Sequence, residues 1–246
     1  MDKLELTSGL PVLTMPPEPC MYLPDRTATM VYRFGRDVPA ADYEALLTRG
    51  WRRFGSVIFR HECAGCSSCI SLRVPVRGFR PSKSQRKALR RNADVSIVTQ
   101  PVSVTDEHLE LFNAYHADMH QRRGWRRESI TDDEYWLTFI DGEQEFAYEM
   151  LYYRERKLIG VGIVDLLPHS SSGVYFYHDP AWRPNSPGTF SLIMEIEAAK
   201  AAGREHHYLG YWVEENQSMQ YKARFRPHEL LDVHVDLDEL PPWRSA

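Results

Sequence analysis

Three cysteines at i, i+3 and i+6, Cys63, Cys66 and Cys69, run into a stretch with eight cations and no acid between residues 73 and 91. Any fold of this chain must gather the sulfurs at one point and hold the positive charge in one place. The cations are Arg73, Arg77, Arg80, Lys83, Arg86, Lys87, Arg90 and Arg91, whereas the whole chain stands at −4. Everything else is therefore acidic, and a polyanion is the natural partner of this segment.

The second half of the segment predicts a short helix. The Ser82 hydroxyl can accept from the Gln85 backbone N–H while the Gln85 side chain reaches back, a reciprocal cap, and Asn92 is expected to supply a left-handed stop. Lys83, Arg86, Lys87, Arg90 and Arg91 then fall three and four apart, a ridge of like charge that costs roughly 0.2–0.5 kcal/mol per neighbouring pair. A merely solvated face would interleave acids, and this one has none, so phosphate binding is the favoured reading.

The C-x2-C-x2-C spacing lets three sulfurs meet on one ion or cluster, with Cys20 the only other cysteine available as a fourth ligand. Zn²⁺ and an iron–sulfur cluster are both left open. The bland alternative is four reduced, partly buried thiols, and a disulfide pair would suit only an exported chain. The first residues show an early acid, no cationic leader and no apolar run of signal length, so a cytoplasmic location is expected. No stretch reaches the eighteen apolar residues of a membrane helix.

Two regions are expected: residues 1–100, basic and cysteine-containing, and residues 101–246. In the first, periodicity predicts a strand at 30–34, a helix between Pro39 and Gly50, and a strand at 57–59. Residues 73–76 read as an edge strand because Pro75 cannot donate to a ladder. A strand at 94–100 leads to a helix that starts at Thr105 and stops at Gly124. Thr131 and Glu134 form a second capping box.

From residue 146 the order is ββ-β-α-β-α-β, with strands at 146–154, 158–166, 174–178, 206–213 and 230–235 and helices at 189–202 and 216–225. This resembles the order of GNAT acyltransferases, so the fold class expected is α+β, with a mixed, mostly antiparallel sheet and a cysteine-containing N-terminal region. The loop from Asp179 to Thr189 keeps one glycine, Gly188, where acetyl-CoA enzymes of that class have an Arg/Gln-x-x-Gly-x-Gly/Ala loop. CoA is accordingly not expected.

Particular residues carry a closer resemblance. Cys20-x-Tyr22, Gly50-Trp51-Arg52-Arg53-x-Gly55, the cysteine run with Arg73-Val-Pro-Val76, and Ser84-Gln85-Arg86 with Arg90-Arg91-Asn92 resemble the N-terminal half of arginyl-tRNA–protein-transferase-like enzymes of bacteria. Tyr177-x-Asp179-Pro180, Gly188-Thr189-Phe190, Tyr208-Leu-Gly-Tyr-Trp212, Met219-x-Tyr221-Lys222 and Phe225-x-Pro227-x-Glu229 resemble their C-terminal half. The cysteine run followed by Arg-Val-Pro-Val points to the aspartate/glutamate leucyltransferase branch. Ser218 departs from the lysine commoner at that position.

The resemblance implies a GNAT-like aminoacyltransferase that moves leucine from leucyl-tRNA to the N-terminal amine of proteins beginning with Asp or Glu, marking them for degradation in the N-degron pathway. Arginine as the donated group is the alternative; a non-catalytic zinc and RNA-binding protein and a CoA-dependent N-acetyltransferase are the rivals from other classes. Transfer is expected to need no cofactor, and metal at Cys20, Cys63, Cys66 and Cys69 is carried over from relatives. An aminoacyl ester is already activated, so positioning, proton removal and oxyanion stabilisation suffice. Asp179, Tyr211, Tyr221 and Lys222 are the catalytic candidates, although for each tyrosine an aromatic core position is the competing reading. Gly188, Thr189, Trp212, Met219, Lys222 and Arg224 are candidates for donor or acceptor binding, with Lys222 or Arg224 meeting an acidic first side chain. Arg52, Arg53, Arg73, Arg80, Lys83, Arg86, Lys87, Arg90 and Arg91 are the candidates for tRNA.

Overall fold

The computed structural model describes residues 9–126 and 129–246. Residues 1–8, the start of the proline-containing lead-in, lie outside the described residues, as do residues 127–128. Strand β1 (Val12–Thr14) is followed by a two-residue pairing of β2 (Glu18–Pro19) with β3 (Thr27–Ala28), which brackets Cys20. Then come β4 (Met30–Phe34), helix α1 (Ala40–Leu47), β5 (Arg52–Phe54) and β6 (Val57–His61). These strands form an antiparallel sheet in the order β1-β4-β6-β5. Tyr43, Leu46 and Leu47 of α1 are buried with Trp51 and Ile58, as the apolar spacing of that helix predicts.

The chain continues through β7 (Ile70–Pro75), α2 (Lys83–Arg91), β8 (Ser96–Pro101), α3 (Asp106–Arg123) and the short α4 (Asp132–Tyr135), which widens into a π-turn at Trp136–Ile140. Both ends of α3 follow the sequence reading: the Thr105 side chain accepts from the His108 N–H, and Gly124 is left-handed. The capping boxes at Ser82/Gln85 and Thr131/Glu134 are also present. Asn92 is not left-handed, at φ −120°. Instead its buried side chain donates to Ala88 O and accepts from the Trp182 indole, closing the helix by its own hydrogen bonds.

Strands β9 (Ala147–Arg154), β10 (Lys157–Leu166) and β11 (Ser170–His178) are antiparallel neighbours. A 3₁₀ turn at Pro180–Asn185 and helix α5 (Pro187–Ala201) lead to β12 (His206–Trp212). A 3₁₀ turn at Gln220–Arg224, β13 (Glu229–Leu231) and β14 (Arg244–Ser245) follow. The large sheet runs β14-β13-β7-β12-β11-β10-β9-β8, and its only parallel step among the described residues is β11 with β12. This is the α+β class expected, with a mixed, mostly antiparallel sheet.

Three expectations from sequence are corrected by the fold. The strand at 73–76 is interior, because β7 pairs with both β12 and β13, and Pro75 is tolerated as its last residue, opposite His206 alone. The helix at 216–225 shrinks to the short turn at Gln220–Arg224: the Asn216 carboxamide accepts from the Ser218 N–H, a local turn that competes with a helix start. The division at residue 100 does not separate two cores, since β7 and β8 belong to the large sheet and Leu72, Val74 and Phe79 pack with Ile193 and Ile196 of α5. Each of those isoleucines is fully buried, a contribution of roughly 1.5–3 kcal/mol apiece.

Candidate active site

β11 and β12 pair at Ser170↔His206, Ser171↔His207 and Ser172↔Tyr208, and then part. Helix α5, which joins them, starts beyond the open end of this fork. Glycine stands on each wall where a side chain from elsewhere enters. A β-carbon at Gly173 would lie 2.8 Å from Glu195 Oε2, and one at Gly210, whose φ is +81°, would lie 3.5 Å from Lys222 Nζ. The fork is thus filled by an acid from α5 and a cation from the 220–224 turn.

Glu195 is held tightly. The Ser191 hydroxyl donates to Oε1 at 2.7 Å, Oε2 lies 3.1 Å from His207 Nε2, and His207 Nδ1 is 2.8 Å from Ser171 Oγ. All four side chains are buried. The sequence reading missed this acid, although one signal was present: Glu195 lies beside Ile193 and Ile196, on the apolar face of α5, where an unpaired carboxylate would be costly.

Lys222 is half-buried and donates to Tyr211 O at 2.9 Å. Burial, and next the Arg52 guanidinium, push its ammonium down to about 8, with Glu195 opposing. Tyr221 places its hydroxyl 3.7 Å from where a β-carbon on Gly188 would sit, and burial raises its proton affinity above the ordinary phenol range. Tyr221 therefore reaches Gly188 at the start of α5, with Thr189 in the first turn of that helix, while Lys222 enters at Gly210 of β12. The Met219 carbonyl accepts from the Lys222 N–H, and Trp212, at the end of β12, packs on the core beneath α5.

Two catalytic candidates are committed elsewhere. The Tyr211 hydroxyl is buried and donates to Gly50 O at 2.7 Å, which commits its proton to that carbonyl. Asp179 caps the 180–185 turn by accepting from the Ala181 N–H and pairs with Lys157 at 2.6 Å. Burial raises its carboxyl, but the Lys157 and Ala181 hydrogen bonds outweigh that and hold it below the usual carboxylate range. It opens onto a separate surface hollow with Arg154 and Trp182.

The candidate tRNA cations divide by burial. Arg53 lies against Asp165, its Nε 3.0 Å from Oδ1, with both side chains closed off. Arg52 is buried between Tyr208 and Tyr211, and Arg73 pairs with Glu229 at 2.7 Å and stacks on Trp243. Arg53 and Arg73 are paired with acids and Arg52 is enclosed between two tyrosine rings, so none of the three belongs to the exposed ridge of cations. Arg80, Lys83, Arg86, Lys87, Arg90 and Arg91 are exposed, as the sequence reading expects. Helix α2 carries all of these but Arg80 along the fork: Gln85 Nε2 donates to Arg224 O at 3.3 Å, and the Asn92 side chain donates to Asn185 O at 2.9 Å. Exposed Arg224 stands at the same rim.

The four cysteines line one pocket of about 490 Å³ together with Tyr22, His61 and His234. The Thr29 N–H donates to Cys63 Sγ at 3.4 Å and Arg26 donates to Cys66 Sγ at 3.1 Å, contacts that suit thiolate charge. Burial first, and then the three neighbouring thiols, push Cys69 up to about 12. The donor chemistry fits a thiophilic ion or cluster. As placed, no three His, Cys, Asp or Glu side chains among the described residues close tightly enough to hold one.

Known proteins share this sequence over nearly its whole length. Residues 18–87 match the N-terminal model, and residues 107–232 the C-terminal model, of arginine-tRNA-protein transferase. A Helicobacter hepaticus protein named aspartate/glutamate leucyltransferase is 37% identical over 224 residues, 91% of this chain and 93% of its own. A Campylobacter jejuni protein of the same name is 35% identical over 220 residues, 89% of this chain and 92% of its own. Among solved structures, FemX is similar with a TM-score of 0.43 at 8% identity, over 85% of this chain and 81% of its own.

Proposed function

The chain belongs to the arginine-tRNA-protein transferase family, and we propose that it moves leucine from leucyl-tRNA to the N-terminal amine of proteins that begin with Asp or Glu. It is an aminoacyltransferase that takes an aminoacyl-tRNA and a protein as substrates. In the transfer a C–N bond forms at the ester carbonyl, the C–O bond to the ribose breaks, and the amine's proton ends on the ribose oxygen. The chain must align the amine with the carbonyl and shuttle one proton. Glu195 and His207 form the acid–base pair at the fork, and the amine loses its proton toward them.

The observation that carries this reading is the docking of α2 beside the fork, through Gln85 to Arg224 and Asn92 to Asn185. RNA held on Arg80, Lys83, Arg86, Lys87, Arg90 and Arg91 can then deliver its 3′ end to Tyr221 and Gly188 at the start of α5. The single-glycine loop at 179–189 supports a reaction without CoA. Cys20, Cys63, Cys66 and Cys69 would be the ligands of a thiophilic metal centre, which would support the fold and take no part in transfer. The site of action is the cytoplasm; no helix among the described residues is long and apolar enough to cross a membrane.

Labelled leucyl-tRNA incubated with a peptide beginning with Asp tests the reading, with arginyl-tRNA and acetyl-CoA as parallel donors. Leucylated peptide is the expected product. Arginylated peptide alone would overturn the choice of donor, and acetylated peptide would overturn the reaction class.

A further inference from the structure

Arg52 is a buried cation without an ion-pair partner among the described residues. Its Nη1 donates to Trp51 O at 2.7 Å and Leu47 O at 3.4 Å, while Nε and Nη2 are buried with no hydrogen-bond partner. A guanidinium stays charged at any physiological pH, and the buried acid that feels this charge, Asp165, is bonded to Arg53 instead. The nearby carboxylates are already engaged. Asp165 on β10 binds Arg53, its neighbour on β5, and Glu195 on α5 binds Ser191 and His207. Lys222 adds a further positive charge, close enough to Arg52 for the guanidinium to oppose its proton. Arg52 and Lys222 flank Tyr211, Arg52 over its ring and Lys222 at its carbonyl, and neither has an ion-pair partner among the described residues.

We infer that Lys222 and Arg52 together form the subsite for the side-chain carboxylate of the acceptor protein's first residue. This rests on the acceptor class proposed above, and it assigns that specificity to two residues. Half-buried Lys222 is the first contact and keeps N–H groups beyond the one spent on Tyr211 O. Arg52 behind it supplies the second charge and the unused donors. One carboxylate can pair with both cations, whereas an amide or alkyl first side chain leaves them opposed. The exposed ridge of α2 is where an RNA phosphate belongs.

The test compares wild type with Lys222→Met, Lys222→Arg and Arg52→Lys, using leucyl-tRNA and peptides that begin with Asp or Asn. For Lys222→Met the Asp-peptide KM should rise roughly 10- to 100-fold, the range for removing a charge-assisted hydrogen bond, while the KM for leucyl-tRNA stays put. The preference for Asp over Asn should collapse with it, and Lys222→Arg should restore most of it. Arg52→Lys should fall between the two; if it fails to fold, Lys222→Met carries the same test. An unchanged Asp-peptide KM in Lys222→Met overturns the assignment, and so does a raised KM for leucyl-tRNA, which would mean that the pair meets RNA phosphate. If wild type transfers nothing to the Asp peptide, the acceptor class itself has failed.

Discussion

Glu195 Oε2 lies 3.1 Å from His207 Nε2 at the point where β11 and β12 separate, and both side chains are closed to solvent. Ser191 and Ser171 hold the outer ends of the pair, so neither group can turn away from the fork. Glu195→Gln keeps the shape and the Ser191 contact but removes the proton acceptor. Its kcat should fall roughly 100-fold or more, the usual scale for general base catalysis, with both KM values little changed. If the Glu195→Gln enzyme turns over at the wild-type rate, Glu195 has a packing role only. Gly173→Ala is the companion variant, since its methyl would displace Oε2 without removing any titratable group.

Arg53 and Asp165 make a second buried pair, on the opposite side of the sheet from α5. Removing either partner strands the other's charge in the interior, so Arg53→Met should lower unfolding free energy by about 3–5 kcal/mol. Urea denaturation measures this directly. The affinity of the folded fraction for tRNA should not change, and a selective loss of tRNA binding would return Arg53 to the phosphate contacts.

These two pairs also mark what sequence alone can reveal. The caps at Ser82, Thr105 and Thr131 were legible because both partners lie within a few residues, and the strands of the second half were legible from their period. Arg52 and Arg53 read as surface residues because Asp165, Tyr208 and Tyr211, which hold them inside, are more than a hundred residues away. Pro75 suggested an edge for the same reason, since its position as the last residue of β7 emerges only when β13 and β12 close on either side. The exposed cations of α2 and the shared pocket of the four cysteines were foreseeable from spacing and resemblance. Glu195 offered only its place on the apolar face of α5 as a signal, because its partner His207 lies on a different element.

The ridge of α2 has a salt signature. Every phosphate that a variant no longer neutralises should reduce the slope of log affinity against log salt by about 0.7–0.9. Lys83→Ala, Arg86→Ala, Lys87→Ala and Arg90→Ala combined should therefore flatten the salt dependence of tRNA binding by roughly 3, measured by filter retention between low and moderate salt. With saturating leucyl-tRNA the turnover number should hold, because none of the four touches the fork. A variant with the wild-type slope would place the RNA on another face.

Lys222 gives the transfer a pH dependence whose sign can be stated. Its ammonium is pushed down from 10.5 to about 8, so in the free enzyme it is charged below pH 8 and neutral above it. The acceptor's carboxylate stays ionised throughout this range, so attraction is lost as pH rises through 8. The Asp-peptide KM should climb above that point while the KM for leucyl-tRNA stays level. Stability moves the other way: between pH 8 and 10.5 the unfolded chain keeps a proton that the folded chain has shed, so this site favours folding as pH rises. Lys222→Arg stays protonated and should abolish the climb in KM. A climb that persists unchanged in Lys222→Arg would trace the pH dependence to another group and remove Lys222 from acceptor recognition.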